Sequence, residues 1–170
     1  MTSAALFTIP VGVVVERLKA VSPWLDYVWR PASVLSGIPA AEPWTPLGVA
    51  GDTTAFFAGT ATVALYRTET ANYIDNLSSG APLLWVVLRP TGGEPPYEVL
   101  AVTADPAEGE AFTEAGNDLV DTVPMPADIK DAVEVFIAQH HVERAFFKRQ
   151  RDSGAEGAPA VGRKRREGEP

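Results

Sequence analysis

LLWVVL, residues 83–88, decides the fold class because every side chain in it is apolar. A strand that is apolar on both faces is typical of the centre of a sheet that is covered on both sides. The turn RPTGGEPP follows at residues 89–96, and YEVLAVT at residues 97–103 predicts an antiparallel partner strand. The sequence therefore predicts a hairpin with a long loop, built on one central buried strand.

Four more strands are predicted before and after this hairpin. They lie in VGVVVERLKA at residues 11–20, WRPASVLSG at 29–37, the alternating segment 53–67 and LVDTV at 119–123. The end of the first strand, at Glu16, Arg17 and Lys19, is expected to face water, and Gly59 predicts a bulge in the third. IPAAEPWTPLGVAGD, residues 38–52, is rich in proline and glycine and is predicted to be the longest internal loop and a candidate binding loop.

Three helices complete the predicted fold. TETANYIDNLSSG at residues 68–80 has Thr68 as its expected cap and Gly80 as its end. Asp105 is expected to cap a second short helix, with Glu108 closing a capping box. ADIKDAVEVFIAQHH at residues 127–141 carries an apolar stripe. We predict an α+β fold: a mostly antiparallel sheet of five to seven strands, two short helices and a longer C-terminal helix packed on it.

Length and charge predict one acidic domain with a basic extension. A chain of 170 residues is long enough for one core, which we assign to residues 1–151, whereas residues 152–170 are rich in Gly, Ala, Pro and charge and are expected to be disordered. The net charge of −8 divides into −11 for residues 1–142 and +3 for residues 143–170. An acidic body repels phosphate backbones, which argues against nucleic acid as a partner.

Several kinds of chemistry are excluded by what the sequence lacks. Without cysteine there is no disulfide, zinc-thiolate or iron–sulfur ligation. No nucleophile elbow, metalloprotease helix, P-loop or dinucleotide fingerprint occurs, so we expect no catalytic residues, no cofactor and no enzymatic activity. The sequence contains neither a signal-like N-terminus nor a membrane-spanning run, which predicts a cytoplasmic protein without a membrane partner.

HHVERAFFKRQR, residues 140–151, fits a metal site, a nucleic-acid arm or a docking segment. Adjacent helical side chains point about 100° apart, so His140 and His141 are poorly placed to share a metal. We expect one histidine to pack on the domain and the other to face water. The basic and aromatic side chains that follow favour an arm that docks on an acidic protein surface: Arg144, Phe146, Phe147, Lys148 and Arg149.

Tryptophans suggest a second part of a partner-binding surface. Trp24 and Trp29 lie close together in SPWLDYVWRP, and Arg30 follows directly. Trp and Arg are the residue types most enriched at interface hot spots. The alternative, which the residue pattern itself favours, is that Trp24, Trp29 and Trp44 cover one end of the sheet. We predict that Trp24, Trp29 and Arg30, together with the segment His140 to Arg151, bind a partner.

Six stretches carry a resemblance that spans most of the chain. They are IPVGVVVER at 9–17, PWLDYVWRPASVLSG at 23–37, ETANYIDNL at 69–77, LWVVLRP at 84–90, VPMP at 123–126 and HHVERAFFKRQR at 140–151. In these the chain resembles a family of uncharacterised bacterial proteins, a domain-of-unknown-function group encoded beside formate dehydrogenase and molybdenum-cofactor genes. The family tends to show Ser-Pro where this chain has Asp105-Pro106, which is consistent with a capping role because both residue types cap helices.

The resemblance implies a functional context. It points to an accessory or binding protein for the maturation, assembly or regulation of a molybdenum- or tungsten-containing formate dehydrogenase, with a dehydrogenase subunit or a maturation factor as the protein partner. Some relatives are labelled molybdopterin-guanine dinucleotide biosynthesis protein A. The alternative is therefore a pterin-cofactor or nucleotide handling protein, with an anionic ligand against Arg30, Arg67, Arg89 or the basic arm. Against this label, the sequence lacks a glycine-rich phosphate loop.

Overall fold

The structure, a computed structural model, describes residues 4–142. Within this range the chain forms seven strands and three α-helices. The strands are β1 Phe7–Lys19, β2 Tyr27–Leu35, β3 Thr45–Ala50, β4 Thr53–Leu65, β5 Leu83–Pro90, β6 Tyr97–Thr103 and β7 Leu119–Pro124. The helices are α1 Thr70–Ser78, α2 Pro106–Glu114 and α3 Ala127–His140. No helix in residues 4–142 has the length and hydrophobicity that a bilayer crossing requires.

The predicted α+β fold is confirmed, and its strands are divided between two antiparallel sheets. One sheet has the order β2-β1-β4-β3 and the other the order β6-β5-β7. The predicted hairpin of β5 and β6 is present, and β5 is central in its sheet. Leu84, Val86, Val87 and Leu88 are fully buried, as expected for a strand that is covered on both faces.

A single apolar interior lies between the inner faces of the two sheets. β1 contributes Val11, Val13 and Val15, and β5 contributes Leu84, Val86 and Leu88. β4 also lies against β6, and β2 against β7, so both edge strands of the three-stranded sheet contact the larger sheet. The predicted bulge is confirmed: the partner of Val13 is Gly59 and that of Val14 is Phe57, which leaves one extra residue in β4. Gly59 has φ +146°, a conformation that side chains rarely tolerate.

Along the direction of the strands, the apolar interior has two ends that differ in what covers them. At the helical end, Phe7 of β1 pairs with Leu65 of β4, and α1 and α3 pack together through an edge-to-face contact of Tyr73 with Phe136. At the opposite end, Lys19 of β1 pairs with Tyr27 of β2, and a hairpin loop joins the two strands. We refer to these as the helical end and the hairpin end.

Buried hydrogen bonds hold α1 onto the helical end. The Asn76 amide accepts from the Leu83 N–H and donates to the carbonyls of Leu83 and Ala104. The Tyr73 hydroxyl accepts from the Tyr66 N–H at 2.9 Å. Since both side chains are almost completely buried, removing either one leaves backbone groups without a partner.

α2 packs on the outer face of the three-stranded sheet, where Gly109 lies directly against the indole ring of Trp85. The predicted cap is confirmed, because the Asp105 carboxylate accepts from the Ala107 N–H at 2.9 Å. The predicted capping box is wrong. The Asp105 N–H donates to the Thr103 hydroxyl instead of to Glu108.

Two local predictions are wrong: the loop at residues 38–52 and the helix cap at Thr68. Residues 38–52 contain β3, which pairs with β4 at the edge of its sheet. Proline is tolerated in edge strands because one side of such a strand has no ladder partner. Thr68 does not cap α1, because a 3₁₀ turn over Arg67–Glu69 precedes the helix and the cap position falls on Glu69. The Thr68 hydroxyl donates to the Glu69 carboxylate instead.

Candidate binding site at the hairpin end

The loop between β1 and β2, residues 20–26, presents apolar side chains to solvent. Val21 is fully exposed, Trp24 is 89% exposed and Leu25 is 59% exposed. The loop is nonetheless ordered by hydrogen bonds: the Ala20 N–H donates to the Asp26 carbonyl, and the Trp24 N–H donates to the Ser22 hydroxyl. We name residues 20–26 the hairpin tip. Such a grouping of exposed apolar side chains is typical of an interaction site.

Behind the hairpin tip, five aromatic rings from three strands and one loop close the hairpin end. Trp29 is at their centre, with ring centroids 5.7 Å from Trp44, 5.9 Å from Phe56 and 6.4 Å from both Tyr27 and Tyr97. Trp29 and Trp44 are half-buried and pack on the core. They therefore cover one end of the sheets, the alternative that the sequence left open, whereas Trp24 does not. We name the five rings the aromatic cluster.

Arg17 lies inside the aromatic cluster and is half-buried, so the prediction that it faces water is wrong. Its guanidinium carbon lies 4.3 Å from the ring centroid of Tyr27, 5.2 Å from that of Phe56 and 5.8 Å from that of Trp29. Its Nε is buried, and no residue between 4 and 142 is its hydrogen-bond partner. No carboxylate in the described part of the chain forms an ion pair with it.

The other arginines named by the sequence are not brought together. Arg30 points to the outer face of its sheet and forms an exposed ion pair with Glu16 at 2.9 Å. Arg89 lies 3.4 Å from Asp118, and Arg67 is exposed in the turn before α1. These three side chains consequently do not form one anion site.

Both histidines contact the helical end. The His140 ring lies 4.6 Å from the Phe136 ring, and His141 Nδ1 shares a hydrogen bond of 2.9 Å with the buried Thr70 hydroxyl. Both are half-buried, so the prediction that one of them faces water is wrong. Residues 4–142 contain no cluster of three potential metal ligands. The Thr70–His141 bond fixes the end of α3 to the start of α1.

The predicted partner-binding residues are divided between the two ends. Trp29 is level with Thr54 on β4, whereas His141 contacts Thr70, just beyond Leu65 at the other end of β4. At about 3.3 Å per residue, that length of strand spans roughly 35 Å. Trp29 and His141 therefore do not belong to one continuous patch. Arg144, Phe146, Phe147, Lys148 and Arg149 lie outside the described residues.

Polar groups at the helical end have structural partners. Burial raises the pKa of Tyr73 to about 12, helped by the nearby carboxylates of Asp105, Glu69 and Glu108 and opposed by the hydrogen bond from Tyr66. The hydroxyl is thus neutral at physiological pH. Asp105 caps α2 and also accepts from the Asn72 amide. A groove of about 260 Å³ between α1 and α3 is mainly apolar, with Glu134 as its one ionisable lining residue.

A family model described as a protein of unknown function (DUF3305) matches residues 10–151. The chain belongs to the DUF3305 family. No characterised protein and no solved structure matched it in the two other comparisons. The DUF3305 match runs from β1 to beyond α3 and includes the hairpin tip, Arg17 and the aromatic cluster. The candidate site therefore lies within the family domain and is not an addition to it.

Proposed function

We propose that this DUF3305 protein is a non-enzymatic accessory protein that binds a protein partner through the hairpin tip. The proposal rests on one observation, the ordered loop on which Trp24 is 89% exposed beside Val21 and Leu25. The sequence resemblance supplies the context, in which the partner is a subunit or maturation factor of a molybdenum- or tungsten-containing formate dehydrogenase. Binding would serve the maturation, assembly or regulation of that enzyme.

The hairpin tip has the physical properties of a binding anchor. An exposed indole contributes a large apolar area and is among the side chains that most often dominate interface energies. The backbone hydrogen bond from Ala20 to Asp26 closes the base of the loop and restricts its conformations. A preordered loop loses less conformational entropy on binding than a mobile one, which raises the affinity of the contact.

A binding role is also supported by the structural hydrogen bonds of the polar side chains that could otherwise serve as catalytic groups. Asp105 caps α2, Thr70 and His141 join two helices, and the Tyr73 hydroxyl is buried and neutral. Among the residues that the structure describes, each of these groups is committed to holding the fold. General acid–base catalysis would instead require a titratable group free to reach a substrate.

The test is affinity purification of the tagged full chain from its own host grown on formate. Trp24→Ala is compared with wild type and with Val135→Ala, a matched change of an exposed apolar residue on α3. We expect Trp24→Ala to lower recovery of the dehydrogenase subunit or maturation factor about tenfold or more, with an unchanged thermal midpoint. Val135→Ala should recover the partner as wild type does.

Two results would contradict the proposal. Equal recovery of the formate dehydrogenase component with wild type and Trp24→Ala would remove the hairpin tip from the interface. Stoichiometric pterin or nucleotide in the eluate without a protein partner would favour the cofactor-handling alternative. Trp29→Ala is not a clean probe, because Trp29 packs on the core and its loss is expected to lower the thermal midpoint.

A further inference from the structure

We propose that Arg17 is a carboxylate-binding site, which takes one acidic side chain from the partner segment that covers the hairpin tip. This inference rests on the proposed function and names the chemistry of the partner. Arg17 is a cation on the inner face of β1, half-buried among aromatic rings, with Nε buried and without an acceptor. In the described part of the chain, Arg30 and Arg89 have carboxylate partners, whereas Arg17 has none.

The aromatic cluster accounts for the half-buried charge of Arg17, but it provides no hydrogen-bond acceptor for the guanidinium N–H groups. Tyr27 lies 4.3 Å from the guanidinium carbon and stabilises the positive charge through its ring face. The five N–H donors of a guanidinium lie in its own plane. A ring that lies over this plane cannot accept hydrogen bonds from them, whereas an oxygen atom in the plane can. No oxygen of the described residues accepts from the buried Nε, and none of their carboxylates forms an ion pair with the guanidinium.

A carboxylate matches the direction and geometry of these donors. Carboxylate oxygens bind a guanidinium in a bidentate manner, through Nε and a terminal nitrogen or through both terminal nitrogens. Because Nε is buried, a carboxylate that approaches from solvent would bind the two terminal nitrogens, and the Nε–H would report this contact as part of the same guanidinium group. Apolar surroundings strengthen such a bond because they exclude water.

The charge of the surrounding protein favours a singly charged group over a polyanion. Residues 1–142 carry a net charge of −11, which repels nucleic acid, polyphosphate and other densely charged ligands. A single carboxylate beside apolar side chains meets less repulsion. Tyr27 is 43% exposed and connects Arg17 to the hairpin tip. The site therefore fits a peptide segment with one acidic residue next to an aliphatic or aromatic one.

The first test observes the Arg17 Nε–H directly by NMR in the full ¹⁵N-labelled chain, with its signal assigned through its loss in Arg17→Lys. The probe is N-acetyl-glutamate amide, which carries one carboxylate. Its matched controls at equal ionic strength are neutral N-acetyl-glutamine amide, sodium chloride and sodium phosphate. We expect a saturable downfield shift with the glutamate probe only, with half-saturation at roughly 10–100 mM for one isolated charged hydrogen-bonded contact.

Arg30, which already pairs with Glu16, is the internal control and should shift much less. No shift of Arg17 over that concentration range would overturn the inference. An equal shift with chloride or with the glutamine probe would also overturn it, because it would show a medium effect only. A stronger response to phosphate would overturn the assignment to carboxylate.

The second test separates this inference from the proposed function. Arg17→Lys keeps the charge but loses the planar fork, and Arg17→Gln loses the charge; both are compared with wild type in the affinity purification. We expect about tenfold lower partner recovery with each variant, measured at a temperature at which its melting curve shows it fully folded. If Trp24→Ala abolishes recovery and both Arg17 variants retain it, the proposed function stands and the carboxylate site is refuted. If Trp24→Ala retains recovery, the proposed function fails whatever the NMR titration gives.

Discussion

Replacing Gly109 by alanine tests the packing of α2 on the sheet. In an ordinary helix position this change stabilises a protein by up to about 1 kcal/mol, because alanine has the higher helix propensity. At Gly109 an added Cβ would lie 2.2 Å from Trp85 Cγ and 2.3 Å from Cδ1, far inside van der Waals contact. Since these atoms belong to the rigid root of the indole ring, helix and ring have to separate. Overpacking of this kind costs about 1–3 kcal/mol.

Because the added Cβ clashes with rigid ring atoms, we take the upper part of that range, about 2–3 kcal/mol. Subtracting a propensity gain of up to about 1 kcal/mol leaves an expected fall of about 1–2 kcal/mol in the free energy of unfolding. For a chain of this size that is a fall of roughly 2–8 °C in the thermal midpoint, measured by calorimetry or circular dichroism. Gly93→Ala is the matched control, because a Cβ there meets no atom within 4 Å. Trp85→Leu should partly rescue Gly109→Ala in a double-mutant cycle. A stabilised Gly109→Ala variant would refute the contact between α2 and Trp85.

Three further predictions concern buried polar groups. Because the folded pKa of Tyr73 is about 12 and the ordinary value is 10.0, its contribution to stability is present below pH 10 and is lost as the pH rises to 12. That loss amounts to up to about 3 kcal/mol, and urea titrations should show a shallower decline for Tyr73→Phe. Asn76→Ala removes three hydrogen bonds to backbone groups and should cost about 3 kcal/mol in the same assay. Asp105→Ala should cost about 1–2 kcal/mol and Asp105→Ser clearly less, because serine can still accept from the Ala107 N–H; equal losses would argue against capping.

Local patterns were sufficient to predict most elements of the fold. The apolar run of β5 and the Asp-Pro start of α2 are signals carried by neighbouring residues, and both elements form as predicted. β3 was missed because an exposed edge strand with proline and glycine has no distinctive pattern. The division into two sheets depends on which strands pair across long stretches of sequence, and no local signal reports that.

At the candidate site, the sequence identified residue types better than their surroundings. It singled out Trp24 and Trp29 together, yet the first is almost fully exposed and the second packs on the core. Arg17 was assigned to the solvent because two other charged residues are near it. Its position two residues after Val15, in the run of inward-facing Val11, Val13 and Val15, is the signal that predicts an inward side chain. The aromatic rings that surround Arg17 come from strands far apart in the sequence, and the spacing of residues along the chain does not predict that these rings come into contact.

The hairpin tip contributes almost nothing to the interior, and this separation has a consequence for engineering. The pairing of β1 with β2 continues up to Lys19 and Tyr27, so the strands that carry the tip are held in register without its side chains. Residues 20–26 can accordingly be exchanged for a different peptide, as a recognition loop is grafted onto an antibody framework, while the scaffold remains folded. Under the proposed function, chains with this framework would acquire new binding specificities by changing one short segment.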